Sequence, residues 1–410
     1  MFNLDLLIKQ VRIADDQPLM DVGVEKGRIC AIAPSITKEA NKTVEGGGRV
    51  LIPGLIEGHL HLDKTLIANL IPNRSGTFPE AMAISIKLKP TFTKPDLRER
   101  AEKTVRMLMR YGVTHLRAQA EFDPVGGFAG FEVVLEMKEK FKGIMDMQVV
   151  AFPQEGIFKS PGTEEMMREA VKMGADVIGG IPHNDLSAKQ HLDFIFELAK
   201  QNDLPLDIHV DQKESMEGTN IQYLCEKTIA EGYQGRVSVG HLNSLGVFPP
   251  EQRDVVIELM AKAQVSFMCL PPTDLHLGGR LDAYNVRRGM APVRALRDGG
   301  VNVGLASNNI RNAFCPIGNG DPFLTAMLAV AGAHLGGADD LPTVMPMLTT
   351  NLAKAIGLKD YGLAVGNRAD MVLLDTKKVN EAIIDMAEKV IVFKEGRVIA
   401  ETQCQTKMCI

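Results

Sequence analysis

Three absences narrow the classes to which this 410-residue chain can belong. No apolar run approaches the roughly 18 to 20 residues that a bilayer span needs, which argues against a membrane helix. Basic residues are not in excess, because 46 lysines and arginines stand against 51 aspartates and glutamates and the formal net charge is -5. This balance gives no electrostatic footprint for nucleic acid or for an anionic membrane, so we expect a small-molecule partner.

Cysteine is sparse and irregularly placed. The six cysteines show no CxxC spacing, and the N-terminus does not resemble a signal peptide. We therefore expect reduced thiols in a cytoplasmic protein.

The length of the chain favours one large domain with one small domain. The first 50 residues have the pattern of short alternating strands, with a tight turn at Glu25-Lys26-Gly27, and the last 45 residues repeat that pattern. We expect residues 1–50 and 358–410 to combine into a small β-sandwich domain, with residues 51–357 forming the larger domain.

The larger domain contains eight apolar runs with helical segments between them, such as PDLRERAEKTVRMLMRYG and QHLDFIFELAKQND. Strand and helix alternating eight times predict an α/β fold, the parallel (β/α)8 TIM barrel. The eight runs are VLIPGLIEGHL, VTHLRAQAEF, MDMQVVAFPQ, ADVIGGIPH, PLDIHVDQ, RVSVGHL, QVSFMCLP and VNVGLASNN.

Polar residues stand at the carboxyl ends of these runs. Barrel strands are buried on both faces, so a polar residue at a strand end is conspicuous, and these ends converge on the mouth where active sites of this fold lie. The residues at the ends are His59 and His61, Gln154, His183, His209 and Gln212, His241, and Asn308 and Asn309.

The spacing of His59 and His61 suits a metal ion. Alternate side chains of a strand share a face, so both imidazoles can point at one ion while Leu60 packs away from it. His209 would supply a third imidazole, and three neutral imidazoles form a catalytic type of metal centre with open positions for water. Any one of these histidines alone is more simply explained as a core residue, whereas the set at strand ends favours a metal centre.

Eight stretches are distinctive in composition: GLIEGHLHLDKT, RAQAEFD, MQVVAFPQEG, GADVIGGIPHND, DIHVDQ, VGHL, LHLGGRLDAYNVRRG and GNRADMVLLD. Together they resemble cytosine deaminase and its relatives in the amidohydrolase superfamily, over nearly the whole chain. The DKT after HLH and the stretch ASNNIRN are more similar to N-isopropylammelide amidohydrolase, whereas HLGGR and VRRG are more similar to cytosine deaminase.

The resemblance implies one divalent metal ion per chain, zinc or iron, and assigns residues to it. The HxH pair, the strand-five histidine and the strand-eight position correspond to His59, His61, His209 and Asn308. By the same resemblance, His241 contacts the metal-bound water and Gln154 binds the amide edge of a substrate ring.

Three further positions are candidate substrate contacts. Lys64 follows the HLH motif, and Asn309 stands where cytosine deaminase has a second aspartate. Phe314 follows the strand-eight loop, where the family carries an aromatic residue that closes the pocket, although core packing would equally explain it.

Two positions depart from the family pattern by carrying an amide where a carboxylate is expected. The strand-eight aspartate of the family ligates the metal and takes a proton from water, but Asn308 has no proton-accepting charge. The family glutamate three places after the strand-five histidine carries a proton to the ring, and Gln212 cannot do so.

Two interpretations of these amides stay open. In the first, a metal with three neutral ligands acidifies its water strongly, and His241 moves the proton. Five charged residues near the strand ends are either substitute proton carriers or ordinary loop groups: Asp63, Lys64, Glu121, Asp211 and Glu214. In the second, the chain binds a ring without turning it over, by nature or because position 308 was substituted.

The sequence thus predicts hydrolytic deamination of a cytosine-like, triazine or pterin ring by metal-activated water. The alternatives are a catalytically silent ligand-binding homologue and a ring-opening hydrolase of cyclic amides. We expect a heterocyclic small molecule as the substrate, a homo-oligomer, and no nucleic-acid or membrane partner.

Overall fold

The computed structural model describes residues 3–405 and 407–409. These residues form one parallel sheet of eight strands and two smaller sheets of four. The strands of the smaller sheets are β1 (Leu4–Val11), β2 (Met20–Glu25), β3 (Arg28–Ala33), β4 (Ala40–Glu45), β5 (Val50–Pro53), β14 (Met371–Leu374), β15 (Lys389–Lys394) and β16 (Arg397–Glu401). The strands of the large sheet are β6 (Leu55–His61), β7 (Val113–Glu121), β8 (Asp146–Phe152), β9 (Val177–Gly180), β10 (Leu206–Val210), β11 (Val237–His241), β12 (Ser266–Cys269) and β13 (Val303–Leu305).

The large sheet is the predicted (β/α)8 barrel. Its strands pair in chain order from β6 to β13, and all the pairs are parallel. The two ends of the sheet meet through a parallel bridge between Leu60 and Asn308. Every residue of β6 and of β7 is buried, as expected for strands covered on both faces. Each of the eight apolar runs therefore supplied one barrel strand, and the fold prediction is confirmed.

Helices cover the outside of the barrel and fill its connections. The helices are α1 (Phe78–Leu88), α2 (Lys94–Arg110), α3 (Ala129–Lys140), α4 (Thr163–Met173), α5 (Ala188–Gln201), α6 (Ile221–Ala230), α7 (Pro250–Lys262), α8 (Pro271–Leu277), α9 (Val293–Asp298), α10 (Pro322–Gly332), α11 (Val344–Leu348), α12 (Thr350–Ala355) and α13 (Glu381–Ile384). Short 3-10 helices lie at Lys89–Thr91, Pro182–Asn184, Asn243–Val247 and Leu341–Thr343.

Helix α2 shows why the periodic segments fold as predicted. The side chain of Thr93 accepts a hydrogen bond from the amide of Asp96 and so caps the first turn. An acidic residue in the first turn and Arg110 in the last turn both match the helix dipole. The apolar residues recur at helical spacing and form the buried face, which includes Leu97, Ala101, Val105 and Leu108.

The first apolar run divides at Gly54 into two strands that belong to different sheets. Strand β5 pairs with β14 in a small sheet, whereas β6 pairs with β7 in the barrel. A Cβ atom at Gly54 would lie 2.3 Å from the Thr114 hydroxyl oxygen, so only glycine fits where the chain passes from one sheet to the other.

The two small sheets come from the chain termini, as predicted. Their strand orders are β3-β2-β1-β4 and β16-β15-β14-β5. A shared hydrophobic cluster packs Leu6 and Val22 of the first sheet with Leu51, Met371 and Phe393 of the second. The two segments therefore bury their apolar faces against each other, which neither could do alone.

A buried ion-pair group joins the second small sheet to the amino-terminal side of the barrel. The ammonium of Lys394, at the end of β15, lies 2.7 Å from Asp370 and 2.8 Å from Asp146 at the start of β8. Lys394 is fully buried. In the described part of the chain, none of the helices has both the length and the apolar character needed to cross a membrane.

Candidate metal centre and active site

Three histidines predicted as metal ligands meet at the carboxyl-terminal mouth of the barrel. His59 and His61 end β6, and His209 lies near the end of β10. The Nε2 atom of His209 lies 3.1 Å from Nε2 of His59 and 3.0 Å from Nε2 of His61. All three side chains are buried, and strand alternation turns Leu60 away from them.

The chemistry of these histidines fits a divalent cation. Asp207 lies 2.9 Å from Nδ1 of His59, so the proton of His59 belongs on Nδ1 and its Nε2 lone pair is free. Burial, with the ammonium of Lys64 as the second cause, lowers the pKa of His61 to about 3, and burial with His59 beside it lowers the pKa of His209 well below its ordinary value. Neutral imidazoles whose Nε2 atoms converge are the donor set of a zinc-type site.

Asn308 lies beside this cluster and closes the barrel. Its amide donates to the carbonyl of His59, and its carbonyl accepts from the amide of His61, both at 2.9 Å. The backbone φ of Asn308 is 61°, a left-handed conformation that asparagine tolerates better than most residues. The side-chain Nδ2 lies 3.4 Å from Nε2 of His241, whereas Oδ1 is buried without a hydrogen-bond partner among the described residues. An unpaired buried carbonyl oxygen has lone pairs that could bind a cation or accept a hydrogen bond from a ligand.

His241 ends β11 next to Asn308. Its Nδ1 lies 2.7 Å from the carboxylate of Asp274 in α8, and both side chains are buried. The backbone φ of His241 is 73°, a left-handed conformation that is uncommon for residues other than glycine.

A second group of predicted residues lies on the β6 and β8 side of the mouth. The ammonium of Lys64 donates to Gln154 Oε1 at 2.9 Å, forms an ion pair with Glu121 and lies 4.7 Å from the centre of the Phe314 ring. Burial alone would raise the pKa of Glu121, but the ammoniums of Lys64 and Lys89 hold it well below the ordinary value. The structure therefore brings Lys64, Gln154 and Phe314 together, with Glu121 as the ion-pair partner of Lys64.

Two other predicted residues lie outside the histidine cluster. Gln212 is half-buried on the wall of a cavity of about 420 Å³ at the barrel mouth. Asn309 is buried, and its amide is engaged at both ends, by Thr273 through Nδ2 and by Asn312 through Oδ1.

The possible substitute proton carriers have mainly structural contacts. The carboxylate of Asp211 accepts the amides of Asn220 and Ile221 at the start of α6. Glu214 accepts a hydrogen bond from the backbone amide of Gly279, and Asp63 accepts one from the backbone amide of Glu121. Of this set, Lys64 and Glu121 are the pair nearest to the predicted ring-binding glutamine.

The 420 Å³ cavity has a lining of polar and apolar residues. Gln212, Asn243 and Asp274 contribute polar groups, whereas Phe78, Leu277 and Leu281 contribute apolar surface. Phe78 packs against Phe314 with ring centres 5.8 Å apart. The cavity is in the size range that encloses a small organic ligand.

Sequence reasoning missed two aspartates that hold the functional histidines, Asp207 and Asp274. Asp207 lies two residues before His209 on the same strand, so strand alternation could have identified it as a second inward-facing group. Its other oxygen accepts from Arg117 at 3.1 Å. Asp274 lies on α8, beyond the end of its barrel strand, where no strand pattern points to His241. His183, which follows β9, is not one of the three clustered histidines.

Comparison with known proteins places this geometry in a family. A family model described as the amidohydrolase family matches residues 77–400. N-isopropylammelide isopropyl amidohydrolase from Pseudomonas sp. (strain ADP) is 30% identical over 98% of both chains. Pterin deaminase from Rhizobium rhizogenes is 29% identical over 92% of this chain and 87% of its own length. A crystal structure of 5-methylcytosine deaminase from Klebsiella pneumoniae, liganded with 5-fluorocytosine, has a TM-score of 0.93 at 30% identity and covers 98% of this chain and 99% of that chain. The chain therefore belongs to the amidohydrolase family, as its sequence motifs predicted.

Proposed function

We propose that this protein is a metal-dependent hydrolase that replaces an exocyclic amine on a pyrimidine, pterin or triazine ring by oxygen, releasing ammonia or an alkylamine. The observation that carries the proposal is the convergence of three histidines, in which Nε2 of His209 lies 3.1 Å from Nε2 of His59 and 3.0 Å from Nε2 of His61. The related deaminases and amidohydrolases support the same class of reaction.

His59, His61 and His209 would hold one divalent cation, zinc or iron. When bound, such an ion supplies Lewis acidity and lowers the pKa of a coordinated water toward neutrality. Asp207 and Arg117 keep the His59 ring in the tautomer that leaves Nε2 free to bind.

The remaining groups orient the ring and handle the proton. Gln154 would bind an amide-like ring edge; in the structure its Oε1 accepts from Lys64 and its Nε2 lies 3.6 Å from the sulfur of Met82. Phe314 covers one side, with Lys64 over its ring. His241, with Nε2 directed toward Asn308, would take a proton from the attacking water and pass it to the departing amine.

The amides at 308 and 212 remove two proton carriers but leave hydrogen-bonding groups in their places. We assign Asn308 to orienting Nε2 of His241 and Gln212 to binding a polar group of the ligand at the cavity wall. General acid or base catalysis is worth about 10²- to 10⁴-fold, so turnover through His241 alone is expected to be slow.

The test is to measure the metal content of the purified chain together with amine release from a panel of aminopyrimidines, pterins and aminotriazines. We expect about one ion per chain, amine release from one ring class, and loss of both in His209→Asn. His191→Asn is the matched control, because His191 is also a buried histidine but belongs to none of the groups of described residues that could hold a metal ion. A wild-type chain that stays free of metal after incubation with zinc or iron would refute the proposal.

The two amides favour one alternative, a ligand-binding protein that retains the barrel without turnover. The same panel separates the two functions, because this alternative predicts saturable ring binding without amine release. Product analysis also detects ring opening, which would add water to a cyclic amide without releasing an amine.

A further inference from the structure

His241, the histidine of the proposed proton pathway, is in hydrogen-bonding contact with the carboxylate of Asp274. Asp274 Oδ1 lies 2.7 Å from His241 Nδ1, and the two side chains are 2% and 1% exposed. A carboxylate at this distance accepts a hydrogen bond from Nδ1–H. The pair thus places the proton of the neutral imidazole on Nδ1 and the lone pair on Nε2.

Asn308 makes the same assignment from the other side of the ring. Its Nδ2 group lies 3.4 Å from Nε2 of His241 and can only donate, which matches a lone pair on Nε2. A carboxylate at position 308 would instead accept and would favour a proton on Nε2. The asparagine and Asp274 are therefore consistent with each other, and together they direct the basic nitrogen toward the site.

Asp274 also contributes to the cavity at the barrel mouth. It lines the 420 Å³ cavity together with Gln212 and Asn243. Among the described residues, Oδ2 of Asp274 has no hydrogen-bond partner. It is not fully enclosed, unlike the unpaired Oδ1 of Asn308. The Asp274 carboxylate therefore contacts His241 and also lines the cavity. It is a carboxylate in the region where positions 308 and 212 carry uncharged amides.

We propose that Asp274 is the positioning residue of this site, which fixes the Nδ1–H tautomer of His241 so that His241 can do the proton transfer that Asn308 and Gln212 cannot. This inference rests on the proposed hydrolytic function. In the step it serves, a water oxygen bonds to the ring carbon and one water proton moves to His241 Nε2. The carbon–nitrogen bond then breaks, the amine leaves with that proton, and the hydroxyl-bearing ring tautomerises to its oxo form.

The decisive variant is Asp274→Asn, which keeps the size of the side chain but allows it to donate to Nδ1. Nitrogen-15 NMR of the full-length protein reads the tautomer of His241 directly, with His241→Gln used to assign the signal, and does not require turnover. We expect Nδ1–H in the parent protein and a shift of the proton to Nε2 in Asp274→Asn. We also expect kcat on the best ring of the panel to fall about 10²- to 10⁴-fold while KM changes less than about threefold.

Asp185→Asn is the matched control. Asp185 also lies 2.7 Å from a histidine Nδ1, that of His191, but this pair belongs to the connection between β9 and α5. The control should lose stability and leave the His241 signal unchanged. Metal content should remain at the parent value in both variants, because neither aspartate touches the three clustered histidines.

Two outcomes would overturn the inference. One is a parent spectrum with the His241 proton on Nε2, and the other is a switched tautomer in Asp274→Asn with kcat within about threefold of the parent. If no ring in the panel is turned over, the hydrolase proposal fails, and the tautomer measurement still decides whether Asp274 positions His241.

Discussion

Of the three clustered histidines, His59 has a neighbouring carboxylate that fixes its proton and its orientation. Asp207 shares the inward face of β10 with His209 because residues two apart in a strand point the same way, and from there it reaches His59 on β6. A carboxylate behind a metal-binding histidine fixes the ring and raises its basicity, and losing it typically lowers metal affinity by about 10- to 100-fold.

Asp207→Asn should therefore weaken metal binding by about 10- to 100-fold without unfolding the barrel. Competition with a chelator measures the affinity, and circular dichroism checks the fold. Asp185→Asn removes a carboxylate from a histidine outside the cluster, so its metal affinity should match that of the parent. Equal affinities in all three proteins would contradict the assignment of His59 as a ligand.

Asn308→Asp tests the most unusual residue of the site. A carboxylate next to three neutral imidazoles adds an anionic ligand, so the variant should lose its metal to a chelator at least about tenfold more slowly than the parent. Asn309→Asp adds the same charge one residue away, on a side chain held by Thr273 and Asn312, and should change metal loss little. Similar rates in Asn308→Asp and the parent would show that position 308 does not face the ion.

At the level of single residues, strand alternation predicted the convergence of His59, His61 and His209, because a period of two fixes which side chains face the barrel interior. The contact between Asp274 and His241 could not be predicted. Asp274 lies 33 positions later, in a helix that begins after a barrel strand, and its direction depends on how that helix sits on the barrel rim. The engagement of Asn309 by its neighbours likewise depends on loop geometry rather than on sequence spacing.

At the level of elements, the loop between β8 and α4 is fixed by a single carboxylate. Asp185 accepts hydrogen bonds from the amides of Ile157, Phe158 and Lys159, and also from His191. This contact anchors the loop that follows Gln154 to the turn after β9. The periodicity of α5 predicted the helix that carries His191, but not the loop that the helix supports.

The acid sensitivity of this anchor follows from its hydrogen bonds. Burial alone would raise the pKa of Asp185, but His191 and the loop amides lower it overall. A lowered carboxyl pKa stabilises the fold fully above the ordinary value of about 3.9, and this stabilisation is lost as the pH falls through the folded value. Urea unfolding midpoints measured from pH 7 to about pH 3 test this. Asp185→Asn should be less stable than the parent at neutral pH, and the difference in stability should shrink in acid. Asp339→Asn, at an exposed position, should stay parallel to the parent, and a constant deficit for Asp185→Asn at every pH would contradict this account.

For the whole molecule, the sequence predicted the barrel and the small β sheets because both depend on periodicity over many residues. The eight buried runs, for example, stood out against amphipathic segments such as α2. The path of the chain from the small sheets into the barrel was not predicted. It depends on the close approach of Gly54 to Thr114 and on charges that meet only in the folded chain, above all those around Lys394.

Lys394 provides a test of how the small sheets are held on the barrel. Its ammonium is fully buried between Asp370 and Asp146. Without Lys394, the buried Asp370 would keep as its nearest cation only the guanidinium of Arg368, 3.4 Å away. Breaking a buried ion pair by removing one partner costs about 3–5 kcal/mol, whereas an exposed pair is worth about 0–1 kcal/mol. Lys394→Met, which keeps most of the side-chain volume, should therefore lower the free energy of unfolding by several kcal/mol in a urea titration.

Arg28→Ala is the control. It breaks the exposed pair between Arg28 and Asp360, which joins the two terminal segments, and should change the free energy of unfolding by less than about 1 kcal/mol. Adding Asp370→Asn to Lys394→Met removes the stranded charge and should recover part of the loss, and an undiminished loss would mean that packing rather than charge holds the sheets in place.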